Sequence, residues 1–171
     1  GGGAIFWGRL GDDHNGDLIL RELEEFGVDV RDVFRLPGVK SGVSSVLIDE
    51  KGERLVTNYS DLNLFSGTCV LPLEKLEEVD AVLVDFRWQE GAIQTANYAR
   101  KIGIPVILDA DLTPNGINKD VIKNSSHVLF SKPALDEFSG GRSKKSALSF
   151  AKKFNNGWVG VTDGEYGTYW L

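Results

Sequence analysis

Four short segments of this sequence bring together residue types that could do chemistry. Asp85-Phe86-Arg87-Trp88-Gln89-Glu90-Gly91 sets an acid, a base, an indole and a second acid close together. Arg87 there could hold an anionic ligand or pair internally with Asp85 or Glu90. Leu108-Asp109-Ala110-Asp111 carries two carboxylates with one residue between them. A turn could aim both at a ligand or a hydrated Mg2+; helix capping or turn-making is the alternative. In Phe130-Ser131-Lys132-Pro133-Ala134, Ser131 is placed to cap a helix that Pro133 opens. In Val161-Thr162-Asp163-Gly164-Glu165-Tyr166-Gly167, the glycines permit positive φ and let a ligand approach the backbone, whose amides could hold phosphate oxygens. A plain hairpin loop would use the same glycines.

Each segment follows a short apolar run, and the runs alternate with helical patterns. Strands are predicted at Ala81 to Phe86, Pro105 to Asp109, His127 to Phe130, Trp158 to Thr162 and Thr168 to Leu171. Helices are predicted at Pro72 to Val79, Glu90 to Ile102, Ile117 to Lys123 and Ser143 to Phe154. Uniformly apolar strands alternating with helices argue a mainly parallel sheet covered on both faces, a three-layer Rossmann-like α/β core. Ligands in such sheets bind beyond the carboxyl ends of the strands, where the four segments fall.

Nearer the start, Ile5 to Trp7 reads as a strand running into a loop over Gly11 to Gly16. Apolar residues at Ile19, Leu23 and Phe26 make Asp17 to Phe26 an amphipathic helix that Gly27 ends. Val43 to Asp49 and Arg54 to Tyr59, joined by Glu50-Lys51-Gly52-Glu53, predict a hairpin outside the alternation. Residues 1–30 and 71–171 are thus expected to form an incomplete α/β core, and 31–70 a β lid with its connections. An uncovered lid face with Val43, Val46, Ile48 or Leu55 would close over a ligand or pair with a second subunit.

The 171 residues are 42% hydrophobic and 26% charged, with a formal net charge of -6 and a sequence pI near 5.0. That balance, without a basic block, argues against nucleic acid and anionic membranes as partners. The apolar runs are far short of the roughly 20 residues that span a bilayer. No leader-like segment opens the chain, so the cytoplasm is the default location. Cys69 is the single cysteine and His14 and His127 are far apart, so neither a disulfide nor a metal set is recognisable. Methionine is absent, which suggests a fragment or a record with residues missing.

Taken in order, the segments resemble the ribokinase-like (PfkB) carbohydrate kinases. Gly2-Gly3 followed by Ala4 is similar to the family's sugar-binding Gly-Gly signature. Gly8-Arg9-Leu10-Gly11-Asp12-Asp13 with Gly16 resembles its G-x-x-G-x-D-x-x-G segment, and Glu25-Phe26-Gly27-Val28-Asp29 the helix end that follows. Ser41-Gly42-Val43-Ser44-Ser45-Val46 and Lys51-Gly52-Glu53-Arg54 look like its lid hairpin. Gly103-Ile104-Pro105-Val106-Ile107-Leu108-Asp109 is similar to its G-x-P-V-x-x-D strand, and Val161-Thr162 with Gly164 and Gly167 to its V-T-x-G-x-x-G nucleotide loop.

The resemblance implies ATP-dependent phosphorylation of a sugar hydroxyl, with Mg2+ and backbone amides neutralising the phosphoryl charge. It implies a substrate side of Gly2, Gly3, Arg87, Asp109 and Asp111, and a nucleotide side of Ser131, Lys132, Thr162, Gly164 and Gly167. A homodimer through the lid is a further expectation. There are departures. The family's first strand with its sugar-binding Asp does not precede Gly1. Its Asn and long helix after the Gly-Gly pair are missing where Ala4 meets Ile5, so a spatial break is expected there, with Gly1 to Ala4 beginning a helix. The N-x-x-E element maps near Ser131-Lys132-Pro133-Ala134, which has neither residue; a Ser-Lys pair is similar to the ketohexokinase side of the family and points to a ketose. No G-A-G-D segment is present to supply the general base, so the 171 residues alone are expected to be inactive. A non-catalytic sugar- or nucleoside-binding α/β domain is the competing reading. A dinucleotide-dependent oxidoreductase would need a G-x-G-x-x-G turn, which Gly8-Arg9-Leu10-Gly11 does not supply.

Overall fold

Asp13 starts the first helix. In the computed structural model, which describes residues 2–171, Asp13 is extended and its carboxylate accepts the Gly16 N–H at 3.0 Å. This is the arrangement by which an N-cap satisfies a free amide of the first turn. Helix α1 (His14–Glu25) therefore begins before Asp17, inside the segment expected to be a loop. Gly16 was read there as a loop residue, but a Cβ on it would lie 2.5 Å from the Gly11 carbonyl oxygen. It is glycine because two backbones touch.

The chain divides into two units, Gly1–Cys69 and Val70–Leu171. In the first, β1 (Ala4–Ile5) pairs in parallel with β3 (Val28–Asp29), and β2 (Arg9–Gly11) with β4 (Phe34–Leu36). The break expected between Ala4 and Ile5 is not there. The two residues stand opposite Val28 and Asp29 in consecutive register, and the Phe6 N–H continues the ladder to the Asp29 carbonyl at 2.8 Å. Ala4 is strand rather than helix; Gly1, where that helix was to begin, lies outside the described residues.

Strands β5 (Val43–Ile48) and β6 (Arg54–Tyr59) form the expected antiparallel hairpin, in register from Val43↔Tyr59 to Ile48↔Arg54. Every residue of both strands is exposed. Leu47, Leu55 and Ile48 are 62%, 63% and 66% accessible, so the apolar surface is open, but not as the single face expected: alternation along the strands puts Val43 and Leu55 on one face and Val46 and Ile48 on the other. Its root is fastened by Asp13, which accepts from the Ser41 hydroxyl at 2.7 Å and the Ser41 N–H at 3.1 Å. The Ser41 hydroxyl, and then the Gly16 amide, hold the Asp13 carboxyl below its ordinary range. The G-x-x-G-x-D-x-x-G segment thus joins the first helix to the hairpin's root.

The second unit carries a five-stranded sheet in the order β11-β10-β9-β8-β7. Its strands are β7 (Val82–Asp85), β8 (Val106–Ala110), β9 (His127–Ser131), β10 (Trp158–Thr162) and β11 (Thr168–Trp170). The first four are parallel and β11 is antiparallel to β10. The crossovers are α2 (Gln89–Ile102), α3 (Lys119–Asn124), and α4 (Lys132–Ser139) with α5 (Lys144–Ala151). A short 3-10 helix, Leu73–Glu78, stands where a helix was expected before β7.

Each parallel step moves the same way across the sheet, and right-handed crossovers that advance in one direction put their helices on one face. Leu108, Val128 and Val159 share that face in register and are fully buried with Phe130, Ile122, Leu135 and Ala151. Phe138 packs on Phe130, Phe150 and Phe154 with centroids 5.3–5.6 Å apart. On the opposite face Leu83 is 73% accessible and Trp158 stacks on Trp170 at 6.5 Å. The α/β class, the mainly parallel sheet and the small hairpin match the sequence reading. Within this unit the four α-helices cover one face of the sheet.

Candidate functional site

Parallel strands that end together deliver their last side chains to one edge. Asp85 and Asp109 lie side by side in register at the ends of β7 and β8. Asp85 Oδ1 accepts the Arg87 N–H at 2.8 Å, turning the chain toward α2. The Asp109 carboxyl is pushed above its ordinary range, first by partial burial and then by the charges of Asp111 and Asp85, with Arg87 opposing the shift. Arg87 is exposed, and it is its backbone N–H that donates to Asp85. The internal salt bridge to Asp85, Glu90, Asp109 or Asp111 is not formed among the described residues, which leaves the planar guanidinium fork open to an anion.

Asp111 is built into the next strand end. Its Oδ1 accepts from the Ser131 hydroxyl at 2.6 Å and from the Leu112 N–H at 2.8 Å. Ser131 also accepts the Ala134 N–H at 3.3 Å, capping α4 with Pro in its first turn, as the sequence indicated. Thr162 lies in register with Ser131 at the end of β10. Beyond it the loop turns at Gly164 and Gly167, whose φ values of 52° and 82° L side chains rarely adopt. The Asp163 N–H closes the loop on the Gly167 carbonyl at 2.8 Å. Lys132 pairs with Asp136 of its own helix.

Arg87, Asp109, Asp111, Ser131, Lys132, Thr162, Gly164 and Gly167 therefore lie along one edge of the second unit's sheet. Gly2 and Gly3 belong to the first unit, before β1, and a Cβ on either would meet nothing within 4 Å. Three residues, two of them within the four segments, make contacts that the sequence reading did not assign. Gln89 holds the loop after β8, donating to the Gly116 carbonyl at 2.8 Å and accepting from Asn118 Nδ2 at 3.0 Å. Lys144 and Asp163 form an ion pair between α5 and the glycine loop. No periodicity or motif joins these partners; only the fold does. Among the described residues no three His, Cys, Asp or Glu side chains converge as a metal cage, and no helix is long and apolar enough to cross a membrane.

A family model described as pfkB family carbohydrate kinase matches residues 1–171. An ATP-dependent ribose-1-phosphate kinase of Halopiger xanaduensis is 29% identical over 102 residues, 60% of this chain and 34% of that protein. Among solved structures, a candidate ribokinase from Agrobacterium tumefaciens is 35% identical with a TM-score of 0.91, covering 100% of this chain and 56% of that one. The Arabidopsis thaliana ribokinase complexed with ribose and ATP has a TM-score of 0.79 at 22% identity, covering 98% and 57%. The chain thus spans a little over half the length of these solved relatives and about a third of the curated one.

Proposed function

The chain belongs to the pfkB family of carbohydrate kinases, and on that premise we propose that the intact protein transfers a phosphoryl group from ATP to a sugar hydroxyl. One observation carries the reading: the acid-rich ends of β7 and β8 and the open glycine loop after β10 share the carboxyl edge of one sheet. Phosphoryl transfer is mainly positioning and electrostatics, so an enzyme needs an acceptor side and a donor side held in fixed relation. On the acceptor side stand Arg87, Asp109 and Asp111; the family resemblance separately gives Gly2 and Gly3 of the first unit a sugar-binding role. On the donor side stand Thr162, Gly164 and Gly167, with Ser131 and Lys132 beside them.

Arg87, exposed and without a carboxylate partner among the described residues, suits a sugar that already carries a phosphate or another acid. The name of the Halopiger relative supports that class of acceptor. The Ser131-Lys132 pair supports a ketose within it. Mg2+ would neutralise charge on the transferring group. Such an ion arrives on nucleotide phosphates and keeps most of its waters. Asp109, destabilised as an anion first by partial burial and then by Asp111 and Asp85, is the residue a cation would relieve. The exposed hairpin acts as a lid or as the contact of a homodimer, and the reaction is placed in the cytoplasm.

Because the 171 residues hold no G-A-G-D segment, the test uses the intact protein: ADP release with Mg-ATP and ribose, fructose or ribose 1-phosphate in turn. Release dependent on one of these supports the reading. Sugar binding without ADP release from any of them replaces it with the non-catalytic binding domain.

A further inference from the structure

Lys144 stands at the start of α5, and its ammonium reaches the loop that follows β10. It pairs with the Asp163 carboxylate and lies 3.6 Å from the centre of the Tyr169 ring, with the Tyr166 ring at 6.0 Å. The two charged side chains are 28% and 17% exposed, so water screens the pair only in part. Hydrogen bonding to Asp163, before any other cause, raises the Lys144 pKa. Asp163 would ordinarily cap the turn it precedes, yet its carboxylate makes no such bond. It is spent on Lys144. The rest of the loop is closed by backbone bonds from Asp163 to Gly167, Tyr166 to Asp163 and Gly167 to Gly164.

A carboxylate in a loop that is to receive a polyphosphate is a liability, since like charges in a partly dry site repel strongly. We propose that Lys144 acts on the nucleotide loop through Asp163: it neutralises that carboxylate, so that the loop between Thr162 and Gly167 presents its backbone, and not a free anion, to ATP. The inference rests on the kinase reading above and adds to it a residue from an element outside the loop. The aromatic rings of Tyr166 and Tyr169 keep the ammonium over the loop by cation–π attraction, which a neutral side chain would lose.

The experiment is calorimetric titration of ATP and, separately, of the sugar into the intact protein and four variants. Lys144→Met is expected to weaken ATP roughly tenfold, because it strands a sheltered carboxylate, and to leave sugar affinity unchanged. Lys144→Arg keeps both the charge and the ring contact and is expected to bind ATP within about threefold of the parent. Asp163→Asn alone should bind ATP as the parent does. In the double variant Lys144→Met/Asp163→Asn the repelling anion is gone, and ATP affinity should return to near the parent value. A double variant as weak as Lys144→Met would mean that Lys144 touches the nucleotide itself, and would overturn the proposal. An Asp163→Asn variant as weak as Lys144→Met would overturn it too, and that comparison stands even where Lys144→Met fails to fold. Unchanged ATP affinity in Lys144→Met removes the role of Lys144 and leaves the kinase reading intact. Absence of ATP binding by the parent removes both.

Discussion

Asn155 offers a quantitative check on how β10, and with it the glycine loop, is held. It is 2% exposed. Its Nδ2 donates to the Ile122 carbonyl at 2.5 Å and the Ser125 carbonyl at 2.7 Å, and its Oδ1 accepts the Gly157 N–H at 2.7 Å. These bonds tie the end of α3 to the residues that enter β10. At about 1 kcal/mol each for bonds with no water to replace them, Asn155→Ala should lose about 3 kcal/mol, or roughly 6–12 °C in Tm for a chain of this size. Asn155→Asp keeps the shape and the contact to Gly157 but turns two donors into acceptors aimed at two carbonyls. Its carboxyl must stay protonated in the folded protein, so its folded pKa rises above the unfolded value of about 3.9. A raised carboxyl pKa gives stability that is present below the unfolded value and lost as pH climbs toward the folded one. The penalty of Asn155→Asp should therefore grow toward about 1.4 kcal/mol per pH unit as pH passes the unfolded value, about 2.4 kcal/mol between pH 4 and pH 6. That of Asn155→Ala should stay flat. Urea denaturation followed by the fluorescence of Trp158 and Trp170, in the same sheet, reads both. A pH-independent Asn155→Asp penalty, or an Asn155→Ala loss under about 1 kcal/mol, would refute the argument.

Three further outcomes are expected. Arg87→Ala should raise KM for the sugar about tenfold, equivalent to about 1.4 kcal/mol, with ATP affinity unchanged; steady-state kinetics on the intact protein with each substrate varied in turn will separate the two. Ser131→Ala removes both the α4 cap and the donor to Asp111, and a thermal melt should show about 1 kcal/mol lost, whereas an unchanged melt would show the cap to be idle. Asp109→Asn removes a carboxyl whose charged form the fold disfavours, so it should leave stability unchanged at pH 3 and increase it as pH rises above about 4; a denaturation series that shows loss at neutral pH would contradict the electrostatic account.

Periodicity alone determined a good deal here. Short runs rich in β-branched residues and entered from Pro or Gly, such as Val106 to Leu108 and Trp158 to Val161, read as buried strands, and their alternation with helices implies a parallel sheet whose carboxyl edge collects the loops. The four chemically interesting segments were legible for that reason: each is local, with strand, turn residue and polar group within a few positions. Ser131 as a cap and Gly164 with Gly167 as a left-handed turn follow from short-range sterics and hydrogen bonding, which the neighbouring residues express in full.

Tertiary structure decided what depends on partners distant in sequence. Asp13 was legible as part of a motif, but its grip on Ser41 exists only because the chain returns past it at the hairpin's root. Lys144 reads in sequence as one basic residue among several, and only the placement of α5 beside β10 gives it Asp163 to hold. Strand order was equally hidden. The alternation of strands and helices is the same whether successive crossovers reverse direction or keep it, so sequence periodicity could not tell that the four α-helices of this unit cover one face of the sheet. Local patterns are written by near neighbours, whereas order, facing and charge pairing are set by which distant segments the hydrophobic core brings together.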